Sequence, residues 1–168
     1  MRAAMLTDLV LFRHAKAVRH HEAPTDRDRT LTARGRQDAA QAAARLAQAG
    51  FSPDAVLVSP SVRTRETWAA SAALKGDNAA EYREPLYLAD AQDILREAEE
   101  TGAARVLVIG HNPGLHDLAC ALARAGAPEV LARMHEHFPT SAIAWLHRED
   151  GADGFTLKAY FARPNADE

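Results

Sequence analysis

Short β-branched or aliphatic runs alternate along this chain with longer Ala-rich segments, and that alternation constrains the fold more than any other feature. The strand-like runs are Leu9 to Phe12, Ala55 to Val58, Val106 to Ile109, Ala142 to Leu146 and Phe155 to Tyr160. The helix-like segments are Thr32 to Ala49, Ser61 to Leu74, Ala91 to Thr101, Gly114 to Ala125 and Pro128 to His137. Strands separated by helices of about ten or more residues need crossover connections, which build a largely parallel sheet with helices packed on it. The last two strands have only the turn Glu149 to Gly154 between them. They are expected to form an antiparallel hairpin at one edge, so the sheet is mixed. At the boundaries, Thr32 can cap the first long helix, Gly50 can end it, and Pro113 fits a helix's first turn.

The chain has 168 residues, which predicts one domain over 1–168 with a short polar tail at 162–168. Its 47% hydrophobic and 26% charged residues are those of an ordinary globular protein and exclude a fibre or a disordered chain. The segment Met1 to Leu11 lacks a signal-peptide pattern, and no run nears the about 18 apolar residues of a membrane span. A cytoplasmic protein without membrane contact is expected, monomeric or weakly associated. Cys120 is the one cysteine, so no internal disulfide forms; in its Ala/Leu-rich surroundings it reads as a small buried thiol. Trp68 and Trp145 likewise read as core.

The net charge of −3 conceals a split. Arg13 to Arg36 carries seven Lys/Arg against three Asp/Glu, whereas Asp77 to Glu100 carries eight Asp/Glu against two Arg. A cationic front suits a small anionic ligand. The acidic total and the absence of interleaved aromatics argue against nucleic acid.

Three strand ends release polar groups: Arg13-His14, then Ser59-Pro60-Ser61-Val62-Arg63, then Gly110-His111-Asn112-Pro113-Gly114. In a parallel sheet these carboxyl ends share one edge, so residues almost a hundred positions apart can meet there. Arg offers a planar fork of donors matched to phosphoryl oxygens, and the helix N-termini that follow add backbone donors. A neutral imidazole can attack phosphorus when an acceptor holds its other nitrogen, which makes His14 the candidate nucleophile. Arg13, Arg63 and His111 can then stabilise the charge that builds on the transferred group, with no metal or other cofactor required.

These blocks resemble a known family. Leu11-Phe12-Arg13-His14-Ala15 is similar to the Arg-His-Gly/Ala signature of the histidine phosphatase superfamily, which includes the phosphoglycerate mutases. The run Asp26 to Gly35 resembles the Asp-x-x-Arg-Pro-Leu-Thr-x-x-Gly block of its SixA-like phosphohistidine phosphatase branch, with Thr30 standing where the family has Pro. Ser59 to Thr67, Val108 to Gly114 and Pro139 to Ala144 are similar to further blocks of that branch, in order along the chain. The resemblance implies a three-layer α/β/α sandwich of phosphoglycerate mutase type, a phosphohistidine intermediate on His14, and phosphate held by Arg13, Arg63 and His111. It places Asp26, Arg29 and Asn112 along the pocket.

In the mutase and monoesterase branches a carboxylate protonates the leaving oxygen. The corresponding stretch, Arg83 to Asp90, shows no clear match, and Glu84, Asp90, Asp26 or no residue at all remain open for the role. An imidazole leaving group, with a conjugate acid of pKa about 6.5, needs far less help than an alkoxide. The expected function is therefore hydrolysis of phosphohistidine on a protein. The alternatives are a broad small-molecule phosphomonoesterase and a non-catalytic phosphate- or phosphoprotein-binding module.

The remaining polar residues take plainer readings. His20-His21 and His135-Glu136-His137 do not share a helix face, so neither supplies a metal site. Spacing within the Ser-Pro element makes Arg63 the phosphate ligand and pairs Arg65 with Glu66. Lys16 and Arg19 read as solvated cations that steer anions.

Overall fold

The computed structural model describes residues 4–163. The strands are β1 (Asp8–Arg13), β2 (Ala55–Val58), β3 (Ala80–Tyr82), β4 (Arg105–Gly110), β5 (Ala123–Ala125), β6 (Ile143–His147) and β7 (Phe155–Phe161). The helices are α1 (Ala33–Gln48), α2 (Val62–Ala69), α3 (Ala72–Lys75), α4 (Ala91–Glu100), α5 (Gly114–Leu122) and α6 (Pro128–Glu136). One seven-stranded sheet runs in the order β3-β2-β4-β1-β6-β7-β5. Only β6 opposes its neighbours: β1 and β7 both pair with it antiparallel, and every other pairing is parallel.

The alternation of side chains along each strand builds two cores. Leu9 and Leu11 of β1, Val106 and Val108 of β4 and Leu57 of β2 face one layer, with Ile94, Leu115 and Met134 from α4, α5 and α6. Val10, Phe12, Leu107, Ile109, Val56 and Val58 face the other, against Ala39, Ala43 and Leu46 of α1 and Trp68 of α2. The central strands are apolar on both faces because helices cover both. This is the α/β/α sandwich of phosphoglycerate mutase type that the sequence resemblance implied. Trp68 and Trp145 lie in the second core.

The boundary signals act as expected at α1, where the Thr32 side chain accepts from Gly35 N and Gly50 follows the helix at φ 97°. Elsewhere the structure corrects the element map. The segment Ser61 to Leu74 is two helices: after Ala70, Ser71 turns its hydroxyl to Thr67 O at 2.7 Å and leaves helical backbone. Residues 123–125 form β5 rather than the end of α5, because pairing beside β7 satisfies an otherwise open sheet edge. The hairpin β6–β7 therefore sits inside the sheet, not at its edge. The short β3, outside every apolar run, extends the opposite edge beside β2.

Among the described residues no helix is long and apolar enough to cross a membrane. The polar tail beyond Arg163 lies outside the described residues.

Candidate active site

Parallel pairing fixes the strand ends side by side. Arg13 on β1 stands opposite Gly110 on β4, and Val58 on β2 stands opposite Ile109. The Ser59 N–H then donates to Ile109 O at 3.1 Å, so all three polar releases emerge at one edge.

His14, the first residue past β1, is clamped through its backbone. Its N–H donates to Gly110 O and its carbonyl accepts from Ser141 N, each at 3.1 Å. The residue is 8% exposed, with its ring Nδ1 2.8 Å from Ala15 O. A carbonyl only accepts, so Nδ1 carries the hydrogen and the Nε2 lone pair is available. Burial drives the His14 pKa well below the ordinary 6.5; the Ala15 carbonyl opposes this, and His111, Arg63 and Arg13 add to it. His14 is neutral at physiological pH, the form a nucleophile requires.

Arg63, in the first turn of α2, is 2% exposed. Its Nη1 donates to Asp26 O at 2.8 Å, and its Nη2 to Asp26 Oδ2 at 3.0 Å and to His111 Nδ1 at 3.2 Å. Its Nε is a buried donor with no partner among the described residues. Because a guanidinium cannot accept, His111 Nδ1 must, and the hydrogen of neutral His111 lies on Nε2. That nitrogen is 2.7 Å from the buried Ser59 Oγ, which receives it. Burial and then the Arg63 charge push the His111 pKa down to about 3. The His14 and His111 rings are 5.5 Å apart between centroids. Thr67 ties the helix to the loop, accepting from Ala15 N at 3.0 Å and donating to Arg63 O at 2.7 Å.

The loop that carries Asp26 folds over this pair. Val18 N donates to Thr30 O, and Thr32 N to Lys16 O, each at 2.9 Å. This short ladder brings Asp26 onto Arg63, and Arg29 Nη1 onto Asp26 Oδ1 at 3.1 Å. Gly35 makes the approach possible, since a Cβ there would stand 2.2 Å from Lys16 O. Burial raises the Asp26 pKa, but hydrogen bonds from Tyr87 and Arg29 and the charge of Arg63 outweigh it and hold the carboxyl far below its ordinary range. Arg29 also donates from Nε to Val18 O at 2.8 Å.

A cleft of about 330 Å³ opens beside His14, lined by Arg13, His14, Lys16, Ala17, Arg19, Arg29 and Thr140. Arg63 and His111 are not among its lining residues; Asp26 accepts from the Arg63 guanidinium. Arg13 reaches from the cleft to Phe138 O, with Nη1 at 3.0 Å.

The structure thus brings together Arg13, His14, Asp26, Arg29, Arg63 and His111. Other expected residues go elsewhere. Asn112 uses its amide on the loop, with Nδ2 donating to Phe138 O at 2.9 Å and Oδ1 accepting from His116 N at 3.3 Å. Glu84 is exposed in a two-bond pair with Arg27, at 2.7 and 2.9 Å. Asp90 caps α4, its Oδ1 accepting from Asp93 N at 2.9 Å. Arg65 does not pair with Glu66: it lies over the Tyr82 ring and donates to Pro60 O, while Glu66 holds Leu31 N and Arg36. Lys16 is half-buried in the cleft wall rather than simply solvated. No three His, Cys, Asp or Glu converge on a metal-binding geometry among the described residues. Cys120 is half-buried, and burial raises its thiol pKa.

Two participants were not singled out in the sequence. Ser59 is signalled only by its place at the end of β2, before Pro60. Tyr87 reaches back from the turn before α4 to donate to Asp26 Oδ2, its ring edge-on to His111 at 5.5 Å.

The family model of the histidine phosphatase superfamily (branch 1) matches residues 9–86. An uncharacterised protein of Mycobacterium tuberculosis is 36% identical over 138 residues, covering 80% of this chain and 85% of the relative. This chain belongs to the histidine phosphatase superfamily. Within the superfamily it is SixA-like. It superposes with a TM-score of 0.81 and 28% identity on a candidate phosphohistidine phosphatase SixA from Agrobacterium tumefaciens, covering 95% of this chain and 100% of the other. It matches a protein histidine phosphatase SixA complexed with tungstate at a TM-score of 0.74 and 26% identity, covering 92% and 96%. Membership together with the SixA-like structural match makes the protein a phosphatase.

Proposed function

We propose that this phosphatase hydrolyses phosphohistidine carried on a protein, through a phosphohistidine intermediate on His14 and without a metal. The reading rests on how the carboxylates around the site are committed. Asp26 is held ionised by Tyr87, Arg29 and Arg63, Glu84 is exposed and paired with Arg27, and Asp90 caps a helix. None is poised as a carboxylic acid to protonate an alkoxide. An imidazole leaves readily without such an acid, because its conjugate acid has a pKa of about 6.5. The SixA names of the structural relatives support the same substrate class.

His14 Nε2 attacks phosphorus, forming one P–N bond as the substrate's P–N bond breaks. The departing imidazole takes up a proton from solvent. Arg13, the Arg63 Nε and His111 stabilise the equatorial oxygens as negative charge builds on them. His111 acts there through Arg63, whose Nη2 it holds by accepting at Nδ1 while its Nε2 N–H stays on the Ser59 hydroxyl. Water then attacks the phosphoenzyme, the P–Nε2 bond breaks, and inorganic phosphate leaves. The cleft beside His14 opens at the surface, so a side chain borne on another protein can enter.

His14→Ala is expected to abolish phosphate release while thermal unfolding remains cooperative, and the wild type should yield an acid-labile 32P-phosphoenzyme that the variant does not. Turnover by the variant would overturn the mechanism. Faster turnover of an aryl phosphate than of a phosphohistidine-bearing protein would overturn the substrate class and favour a general phosphomonoesterase.

A further inference from the structure

Arg63 owes the orientation of its guanidinium to one neighbour. Asp26 takes both terminal nitrogens, Nη1 through its backbone carbonyl at 2.8 Å and Nη2 through Oδ2 at 3.0 Å. Nη2 also reaches His111 Nδ1, and Nε is left as a buried donor with no partner among the described residues. A planar guanidinium held at both Nη atoms has no freedom to turn. The direction of Nε is therefore set by where the Asp26 carboxylate stands.

That carboxylate has further holders. Its Oδ2 accepts from the Tyr87 hydroxyl as well as from Arg63, and its Oδ1 accepts from Arg29. Tyr87 is a firm anchor because its turn is pinned on both sides. Its N–H donates to Glu84 O at 3.0 Å, Leu86 before it is buried, and Ala89 after it packs so closely on Gly114 that a Cβ there would stand 2.0 Å from Ala89 O. The Arg27 guanidinium lies over the Tyr87 ring, 4.2 Å from its centroid, and is gripped by both oxygens of Glu84. Asp26 and Arg27, adjacent in one loop, are thus fastened to Tyr87 at its hydroxyl and at its ring face. Tyr87 itself is half-buried and belongs to neither apolar core, so deleting its hydroxyl removes no core contact.

We infer that Tyr87 is a positioning residue for phosphoryl transfer, acting through Asp26 Oδ2 to fix the edge of Arg63 that meets the transferred group. The inference deepens the function proposed above and rests on its placement of the reaction at His14 and of Arg63 on the equatorial oxygens. Because Arg63 there answers charge that builds during transfer, loosening it costs more in the transition state than in the ground state.

Two probes read those states separately. Orthovanadate takes a fifth ligand from an imidazole nitrogen and imitates the transition state, whereas inorganic phosphate imitates the ground state. In calorimetric titrations of the whole chain, Tyr87→Phe should weaken vanadate about tenfold and phosphate about twofold, with thermal unfolding still cooperative. Beside Asp26→Asn, the same substitution should change vanadate affinity by less than about twofold, since residues that act through one atom are not additive. Tyr82→Phe deletes the same atom from an exposed ring on β3 and should leave both affinities as in the wild type. A vanadate loss that persists in full beside Asp26→Asn overturns the route through Asp26. An equal loss of both probes, or no loss, overturns the positioning role.

Turnover of phosphoimidazole and of an aryl phosphate separates this inference from the function on which it rests. A wild type that hydrolyses only the aryl phosphate, with the vanadate loss in Tyr87→Phe intact, refutes the substrate class and leaves the positioning role standing. Hydrolysis of phosphoimidazole with vanadate affinity unmoved by Tyr87→Phe does the reverse.

Discussion

Ser59 and His111 show how much at this site depends on single atoms. The Ser59 hydroxyl is fully buried and meets His111 Nε2 at 2.7 Å, while Arg63 donates to Nδ1 on the other side of the ring. The imidazole is therefore held between a fixed donor at Nδ1 and a hydroxyl that accepts from Nε2. Ser59→Ala leaves a buried N–H without an acceptor, at a cost of roughly 1–3 kcal/mol. We expect kcat to fall about tenfold with a smaller change in KM, because His111 loses its orientation rather than its charge. Steady-state kinetics beside thermal unfolding will check this; an unchanged kcat would show that Ser59 does not orient the ring. At this scale the sequence pointed to Arg13, His14, Arg63 and His111 through their own functional groups, and the structure brings those four side chains to one edge of the sheet. The sequence was not legible for Asn112, Glu84 and Asp90, whose polar atoms are used by a loop carbonyl, a neighbouring arginine and a helix end.

The loops over the sheet edge owe their positions to two close approaches between elements. At the start of α1, a Cβ on Gly35 would stand 2.2 Å from Lys16 O, and at the start of α5, one on Gly114 would stand 2.0 Å from Ala89 O. Gly110, at the end of β4, is different: a Cβ there would meet only the Leu115 side chain, at 3.8 Å. Gly35→Ala should therefore destabilise the protein by roughly 1–3 kcal/mol and weaken phosphate binding, since it pushes the Lys16 segment away from α1. Gly110→Ala should cost less than about 1 kcal/mol. Denaturant unfolding and phosphate titration of the two variants decide the matter, and equal losses would refute the close-approach account. The long apolar periodicities of β1, β4 and α1 were readable in the sequence. The short β3 and β5 were not, since three-residue edge strands are stabilised by the neighbour they pair with rather than by a pattern of their own.

For the molecule as a whole, the site imposes a pH dependence. Burial and neighbouring cations lower the pKa of both His14 and His111, the latter to about 3 against an unfolded value near 6.5. Between those values the unfolded chain binds more protons than the native one, so stability is complete above about pH 6.5 and declines as the pH falls. Each histidine contributes a slope of at most about 1.4 kcal/mol per pH unit. Unfolding free energies measured from pH 7 to pH 4 should show this decline, and His111→Gln should flatten it. The acid limb of kcat/KM should lie below pH 6.5, since it reports the free enzyme; a limb above that value would contradict a neutral, desolvated His14.

The sequence by itself determined the layered α/β class and the order of the long elements, and it named the residues proposed above for phosphoryl chemistry. Those depend on local periodicity and on the functional groups of individual side chains. Tertiary structure alone decided that Asp26 lies on Arg63, that Tyr87 and Ser59 complete the polar network, and that Lys16 and Arg19 face the cleft of His14. Those contacts join residues 37, 61 and 52 positions apart, and no local pattern specifies which distant group will satisfy a buried donor. Only packing the sheet edge brings the partners within reach.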